Sequence, residues 1–215
     1  MSLSPLAMKT IELSKEFGIT NKLELAHMLA RFDVESGGFK RLTESMNYTP
    51  EGLAATWTSR FGTKLPNGKY SAVPNELAKK LGRTKGHPAN QEEIANYVYG
   101  SRMGNEANGT QDDDGWEYRG GGLTQLTGKG MYLDFLNYLH KQGKKLDLTI
   151  DTVDDWVRTE DGAVISAVWF WINHGCGELA RKDDVEGVCK RINGGKHGLI
   201  EQKAALIKYK KYFGI

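Results

Sequence analysis

The sequence predicts a mainly α-helical fold. Three observations carry that reading. Apolar side chains recur at helical spacing along most of the chain, residues that start and stop helices bracket those runs, and no stretch alternates convincingly like a half-buried strand. The 215 residues suit one domain, or one domain with a small lobe, and contain no internal repeat.

Taken in order, Ser4 caps a first helix, with Pro5 at its first position and Gly18 as its stop. Over residues 21–34, Leu25, Met28, Leu29 and Phe32 fall at i, i+3, i+4 and i+7, one apolar stripe that ends at Ser36-Gly37-Gly38. Thr49-Pro50 opens a helix carrying Leu53, Ala54 and Trp57. Shorter helices are expected over 74–81 and 90–99, the second with Glu92 and Glu93 in its first turn, where the helix dipole favours acids. Residues 100–130 break the pattern. They are rich in glycine, poor in aliphatic residues and carry the acidic run Asp112-Asp113-Asp114. They read as a loop region with a short hairpin around 118–126, and loops of that length in a compact domain are usually functional. Helical spacing returns over 131–140 with Leu133, Leu136 and Leu139, and Gly143 stops it. Residues 163–172 are apolar on every side and read as the central buried helix. Two more helices are expected over 185–192 and 199–212.

Composition excludes several classes. Glycine is abundant, 26 of 215, but only five prolines accompany it, so neither a Pro-rich linker nor a collagen fits. A hydrophobic content of 39%, with five Trp, nine Tyr and seven Phe, excludes a mainly disordered chain. With 29 basic against 27 acidic residues the net charge is +2, too small an excess for a dedicated duplex-DNA binder, so no nucleic-acid partner is expected. No apolar run approaches the ~18 residues of a membrane span, so stable membrane insertion is not expected. The first residues lack the apolar core of a secretory signal. Cys176 and Cys189 are too few for a disulfide scaffold or a cysteine zinc site, and read as reduced, buried thiols in preference to the pair they could form in an oxidising compartment.

Most catalytic chemistries find no support. The five histidines (27, 87, 140, 174, 197) lack metal-ligand spacing. There is no Gly-x-Ser-x-Gly, Cys176 beside His174 reads as structural, and Gly120-Gly121-Gly122 lacks the Lys-Ser/Thr of a phosphate loop. Two glutamates remain. Glu35 ends an amphipathic helix, at the unfavourable end of the dipole for an acid. That placement and partial burial against Phe32 or Phe39 favour a protonated carboxyl able to act as general acid. Glu44, nine residues on, lies among Thr, Ser and Asn and is expected to stay ionised as a base. Asp33 competes with Glu35, and the spacing alone equally fits two solvated surface charges. The segment 115–128 is the second informative stretch. Gln125 and Thr127 lie two apart and would share one face of an extended strand, with Trp116 and Tyr118 as aromatic platforms for a sugar. The alternative is a glycine-rich turn over aromatic core residues. Asn193-Gly194-Gly195 is likewise either a turn or a place of close approach to a substrate.

Together these segments resemble glycoside hydrolase family 19, and more closely its phage and bacterial endolysins. The matching stretches are Glu35-Ser-Gly-Gly-Phe39, Glu44-Ser-Met-Asn-Tyr48, the segments 94–105 and 115–128, Ser166-Ala-Val-Trp-Phe-Trp171 and Arg191-Ile-Asn-Gly-Gly195. They run in family order over residues 23–212. The resemblance implies a two-lobed, lysozyme-like fold with a substrate cleft between the lobes, and one catalytic domain over 1–215 with no separate wall-binding module. It implies inversion by two carboxylates ~6.5–9.5 Å apart, Glu35 protonating the glycosidic oxygen and Glu44 activating water. Thr127 matches the residue that helps hold that water. Gln125 and Asn193 match substrate-contacting positions, and Tyr48 and Tyr118 are assigned to substrate contact as well. No metal or organic cofactor is expected. Three positions depart from the family: Val34 stands where His is frequent, Gly121 replaces an Arg, and Met131 stands where Asn is common.

The expected activity is that of a monomeric endolysin acting on the β-1,4-linked glycan of peptidoglycan, made in a host cytoplasm and released to the wall through a separate membrane pore. A chitinase, which would meet the same N-acetylated backbone, and a catalytically inactive sugar-binding protein are the alternatives. Residues 190–215 carry seven basic residues against Glu201, a face expected to help attract an anionic wall.

Overall fold

The computed structural model describes residues 2–106 and 112–215; residues 107–111 of the expected loop region lie outside them. In chain order the elements are α1 (Pro5–Ser14), a 3-10 turn (Lys15–Phe17), α2 (Lys22–Ser36), α3 (Pro50–Thr56), α4 (Thr58–Phe61), β1 (Gly62–Lys64) and β2 (Tyr70–Pro74). Then follow α5 (Glu76–Leu81), α6 (Gln91–Tyr99), α7 (Asp114–Glu117), α8 (Lys129–Lys141), α9 (Ile150–Val157), α10 (Glu160–Asn173), α11 (Cys176–Arg181), α12 (Val185–Asn193) and α13 (Leu199–Phe213). With 59% helix and 5% strand the fold is mainly α, as the periodicity predicts.

The expected caps at Ser4 and Thr49 form, and the structure adds one at Asn21. The Ser4 hydroxyl accepts from the Ala7 N–H, Thr49 Oγ1 accepts from Gly52, and Asn21 Oδ1 accepts from the N–H groups of Leu23 and Glu24. Gly18, Gly37 and Gly194 adopt the left-handed conformation that ends a helix. The hairpin, however, lies over residues 62–74 and not around 118–126. There β1 and β2 pair antiparallel, and the tip closes through Leu65 N–H to Lys69 O at 2.7 Å. Residues 118–126 form an irregular turn instead. Gly121 and Leu126 exchange backbone hydrogen bonds at 3.0 and 2.8 Å, and Gly121 also bridges Thr43, but neither bridge extends into a strand. Helices α4, α7, α9 and α11 are additions to the expected set.

The chain divides into two compact units. The first comprises residues 1–43, 120–126 and 132–215. Its core is built around α2 and α10. Residues 162–171 of α10 are all buried, as expected of a central helix. Helix α2 is buried on more than one stripe, since every residue from Glu24 to Phe32 is covered. Phe32 meets Trp171 edge to face at 6.3 Å, while Leu206 and Tyr209 of α13 close another side of the core.

The polar line of α2 therefore has to find partners inside the unit, because a buried charge without one is costly. Glu24 accepts from Trp171 Nε1 at 3.2 Å and from Arg181 Nη1 at 2.5 Å. The fully buried His27 meets Asp183 at 2.8 Å, and Asp183 in turn pairs with Lys210 at 2.5 Å. Asp33 accepts from Tyr209 Oη at 2.6 Å and from Lys208 Nζ at 2.9 Å. Burial and the neighbouring Asp33 carboxylate push the Tyr209 phenol above its usual range. All of these partners come from residues 171–210.

The second unit comprises residues 44–119 and 127–131. Its core joins Met46, Leu53, Phe61, Ala78, Leu81, Ile94 and Val98, with an aromatic row of Tyr48, Trp57, Phe61 and Tyr97 at ring spacings of 5.1–6.2 Å. Gly115 lets α7 lie directly on α6: a Cβ there would stand 2.6 Å from the Asn96 Cα.

Candidate active site

Glu35 occupies the penultimate position of α2, and Ser36-Gly37-Gly38-Phe39 turns the chain sharply away behind it. Gly37, Gly38 and Phe39 all have positive φ, 62°, 84° and 62°. The Ser36 hydroxyl stitches the turn by donating to Phe32 O at 2.5 Å and accepting from Phe39 N–H at 2.8 Å. The Glu35 side chain is 29% exposed, and its Oε1 accepts from Nη2 of Arg31, one helical turn earlier. The same Nη2 donates to Asn193 Oδ1 at 2.5 Å. Arg31, Val34, Glu35, Asn193, His197 and Gly198 line a pocket of about 330 Å³. Two residues picked out in the sequence, Glu35 and Asn193, thus meet on a third, Arg31, that the sequence reading missed. Asp33, the competitor, is held by α13 and stands apart from this pocket's lining.

In the other unit, Glu44 lies on an irregular segment and is half-buried. It accepts a hydrogen bond from Tyr99 Oη at 2.8 Å. Burial first, and the Glu44 charge second, raise the Tyr99 phenol well above its ordinary value, so it stays a donor. Tyr99 falls within the 94–105 motif but carried no assigned role. Tyr48, half-buried, packs edge to face on Trp57. Thr127, also half-buried, lies next to Gly128, whose N–H bonds to the Tyr118 carbonyl at 2.7 Å.

Three expectations for segment 115–128 are corrected. Gln125 and Thr127 do not share an extended face, because Gln125 has φ +53° and its amide folds back to donate to Gly122 O at 2.9 Å. A non-glycine residue held in that region is strained, and such strain concentrates at functional positions. Tyr118 is only 1% exposed, so its ring lies inside the fold and offers no open platform. Trp116 is half-buried with the Arg119 guanidinium stacked 3.4 Å over its ring centroid, which occupies that face.

The Gly121 departure has a local cause. A Cβ at this position would stand 2.3 Å from the Tyr132 hydroxyl, so a side chain there requires the buried Tyr132 to shift. Cys176 and Cys189 are both free and buried, and burial pushes the Cys176 thiol up to about 12. That thiol is no nucleophile, and His174, stacked on Phe170 at 3.9 Å, bonds to the Phe170 carbonyl. The C-terminal lysines are largely neutralised. Lys208 pairs with Asp33, Lys210 with Asp183, and Lys190 and Lys196 with Glu186, whose carboxyl they hold down to about 2. Among the described residues no helix is long and apolar enough to cross a membrane.

A glutamate at the rim of a polar pocket, beside an amide and on a mainly helical scaffold, suits a lysozyme-like glycoside hydrolase. No family model matches the chain. A protein of Haemophilus influenzae described as a glycosyl hydrolase family 19 domain-containing protein is 37% identical to it over 185 residues, which cover 86% of this chain and 78% of that relative. The chain belongs to glycosyl hydrolase family 19.

Proposed function

We propose that this glycoside hydrolase cleaves the β-1,4-linked glycan of bacterial peptidoglycan with inversion, as an endolysin that brings about host lysis. Glu35 donates its proton to the glycosidic oxygen as the bond to the leaving sugar breaks. Glu44 takes a proton from the attacking water, held with the help of Thr127. Asn193, Gln125 and Tyr48 contact the sugar chain, and no step calls for a metal or organic cofactor. Tyr118 supports the turn from within. The observation that carries the reading is the joint placement of Glu35 and Asn193 at one pocket through Arg31.

The two buried, free thiols support synthesis in a reducing compartment, here the host cytoplasm before release through a separate membrane pore. The enzyme acts as a monomer, and its 215 residues serve as one catalytic domain. The test is release of reducing ends from purified peptidoglycan and, in parallel, from chitin oligomers, by the wild type and by Glu35→Gln and Glu44→Gln. NMR of the first-formed anomer reads the stereochemistry. Undiminished activity in both variants overturns the assignment, turnover of chitin alone makes the enzyme a chitinase, and binding without turnover of either makes it a sugar-binding protein.

A further inference from the structure

The function proposed above leaves Arg31 without a part, although it is the most deeply buried charge near the pocket, at 1% side-chain exposure. Burying a guanidinium is costly, and burial here lowers the Arg31 pKa from its usual value. Its Nε has no hydrogen-bond partner among the described residues. What the side chain does satisfy is specific. Nη2 donates both to Glu35 Oε1 and to Asn193 Oδ1, and Nη1 reaches Oε1 of the fully buried Gln202 at 3.4 Å. Asn193 is itself fixed from the other side, since its amide donates to His197 O at 2.7 Å. A guanidinium is a rigid planar fork, so anchoring one arm in the core sets the direction of the other.

We propose that Arg31 is the positioning residue of this site: it holds the Glu35 carboxylate in one orientation and links that carboxylate to sugar contact at Asn193. The inference rests on Glu35 being the acid. A sugar hydroxyl that donates to Asn193 Oδ1 competes there with the same Nη2 that touches Glu35. Substrate binding and the proton affinity of the acid are therefore coupled through one nitrogen. A lysine at this position would keep the charge but not the fork.

The test compares Arg31→Gln, Arg31→Lys, Asn193→Ala, the Arg31→Lys/Asn193→Ala double variant and Glu35→Gln. Readouts are kcat and KM on soluble glycan fragments across pH, with a carbon-13 NMR titration of the Glu35 carboxyl that needs no turnover. Arg31→Gln is expected to lower kcat about ten- to a hundredfold with little change in KM. It should also move both the alkaline limb of the profile and the Glu35 titration to higher pH, because an opposite charge has gone. Arg31→Lys should lower kcat while leaving the limb in place. The double variant should lose little beyond Arg31→Lys alone, the signature of residues acting as a unit. An unmoved titration in folded Arg31→Gln, or additive losses in the double variant, overturns the proposal. If Arg31→Gln does not fold, the cycle through Arg31→Lys decides it. Activity retained in Glu35→Gln defeats the reading of Glu35 as acid. An inactive Glu35→Gln together with additive losses defeats this inference alone.

Discussion

Glu35 and Glu44 are held by opposite means. Glu35 sits in the last turn of a 15-residue helix, against a buried cation from the same helix. Glu44 sits on an irregular segment and takes its hydrogen bond from a neutral phenol 55 residues away. The first arrangement orients a carboxylate by charge and by a rigid element. The second brings to one carboxylate an O–H whose burial keeps it a donor. An acid that must hand over a proton and a base that must accept one need their carboxyl groups aimed, but the two partners differ in how much charge they bring.

The bluntest way to break the comparison is to remove each carboxylate. Glu35→Gln and Glu44→Gln should each reduce kcat by about 10²–10⁴-fold, and Glu35→Gln should also lower the melting temperature because the buried Arg31 loses its carboxylate, measured as reducing-end release beside thermal unfolding. A gentler break is Tyr99→Phe. It should lower activity about three- to tenfold and cost about 1 kcal/mol of stability, the usual worth of one hydrogen bond, read from urea midpoints. It should therefore hurt less than Arg31→Gln.

The polar line of α2 can be probed through acid. Burial holds the His27 imidazole below its ordinary value of 6.5, against the raising effects of its hydrogen bond and charge from Asp183, with Lys210 adding to the lowering. The unfolded chain therefore takes up this proton more readily than the folded one. The His27 contribution to stability is whole above about pH 6.5, falls as pH drops below it, and levels off once the folded imidazole is also protonated. Urea midpoints at about pH 7.5 and 5.5 should diverge more in the wild type than in His27→Gln. The smallest effect is expected at the surface. Lys203 and Lys211, which make no ion pair among the described residues, should change lysis less than about twofold when both become Gln, whereas Lys208→Gln also removes the cation paired with Asp33 and leaves it the Tyr209 hydroxyl.

Much of the helical framework was legible because its punctuation is local. Ser4-Pro5, Asn21, Thr49-Pro50 and Gly37 each act within one turn of their own position. The hairpin escaped notice although Pro66-Asn67-Gly68 is a turn signal, because its strands are three and five residues long and mostly exposed, so no apolar alternation announces them. Helix α9 did carry a readable pattern, with Ile150, Val153 and Val157 on one face and Thr149 paired with Thr152 in a capping box. In the site, Glu35, Glu44 and Asn193 were reached through motifs. Arg31 was not, because Asn193 and Gln202 lie 162 and 171 residues from it and no local rule pairs such positions. Its spacing of four from Glu35 was the one available signal.

The distribution of partners along α2 also has a consequence in time. Glu35 leaves the ribosome well before the groups that hold its helix, from Trp171 through Asn193 and Gln202 to Lys210. A growing chain therefore carries Glu35 long before anything can aim it, and Arg31 meets its anchor only when α13 docks. Hydrolytic capacity should appear abruptly once α13 has been made, and a nascent fragment lacking α13 should be inert even though every carboxylate of the proposed mechanism is present.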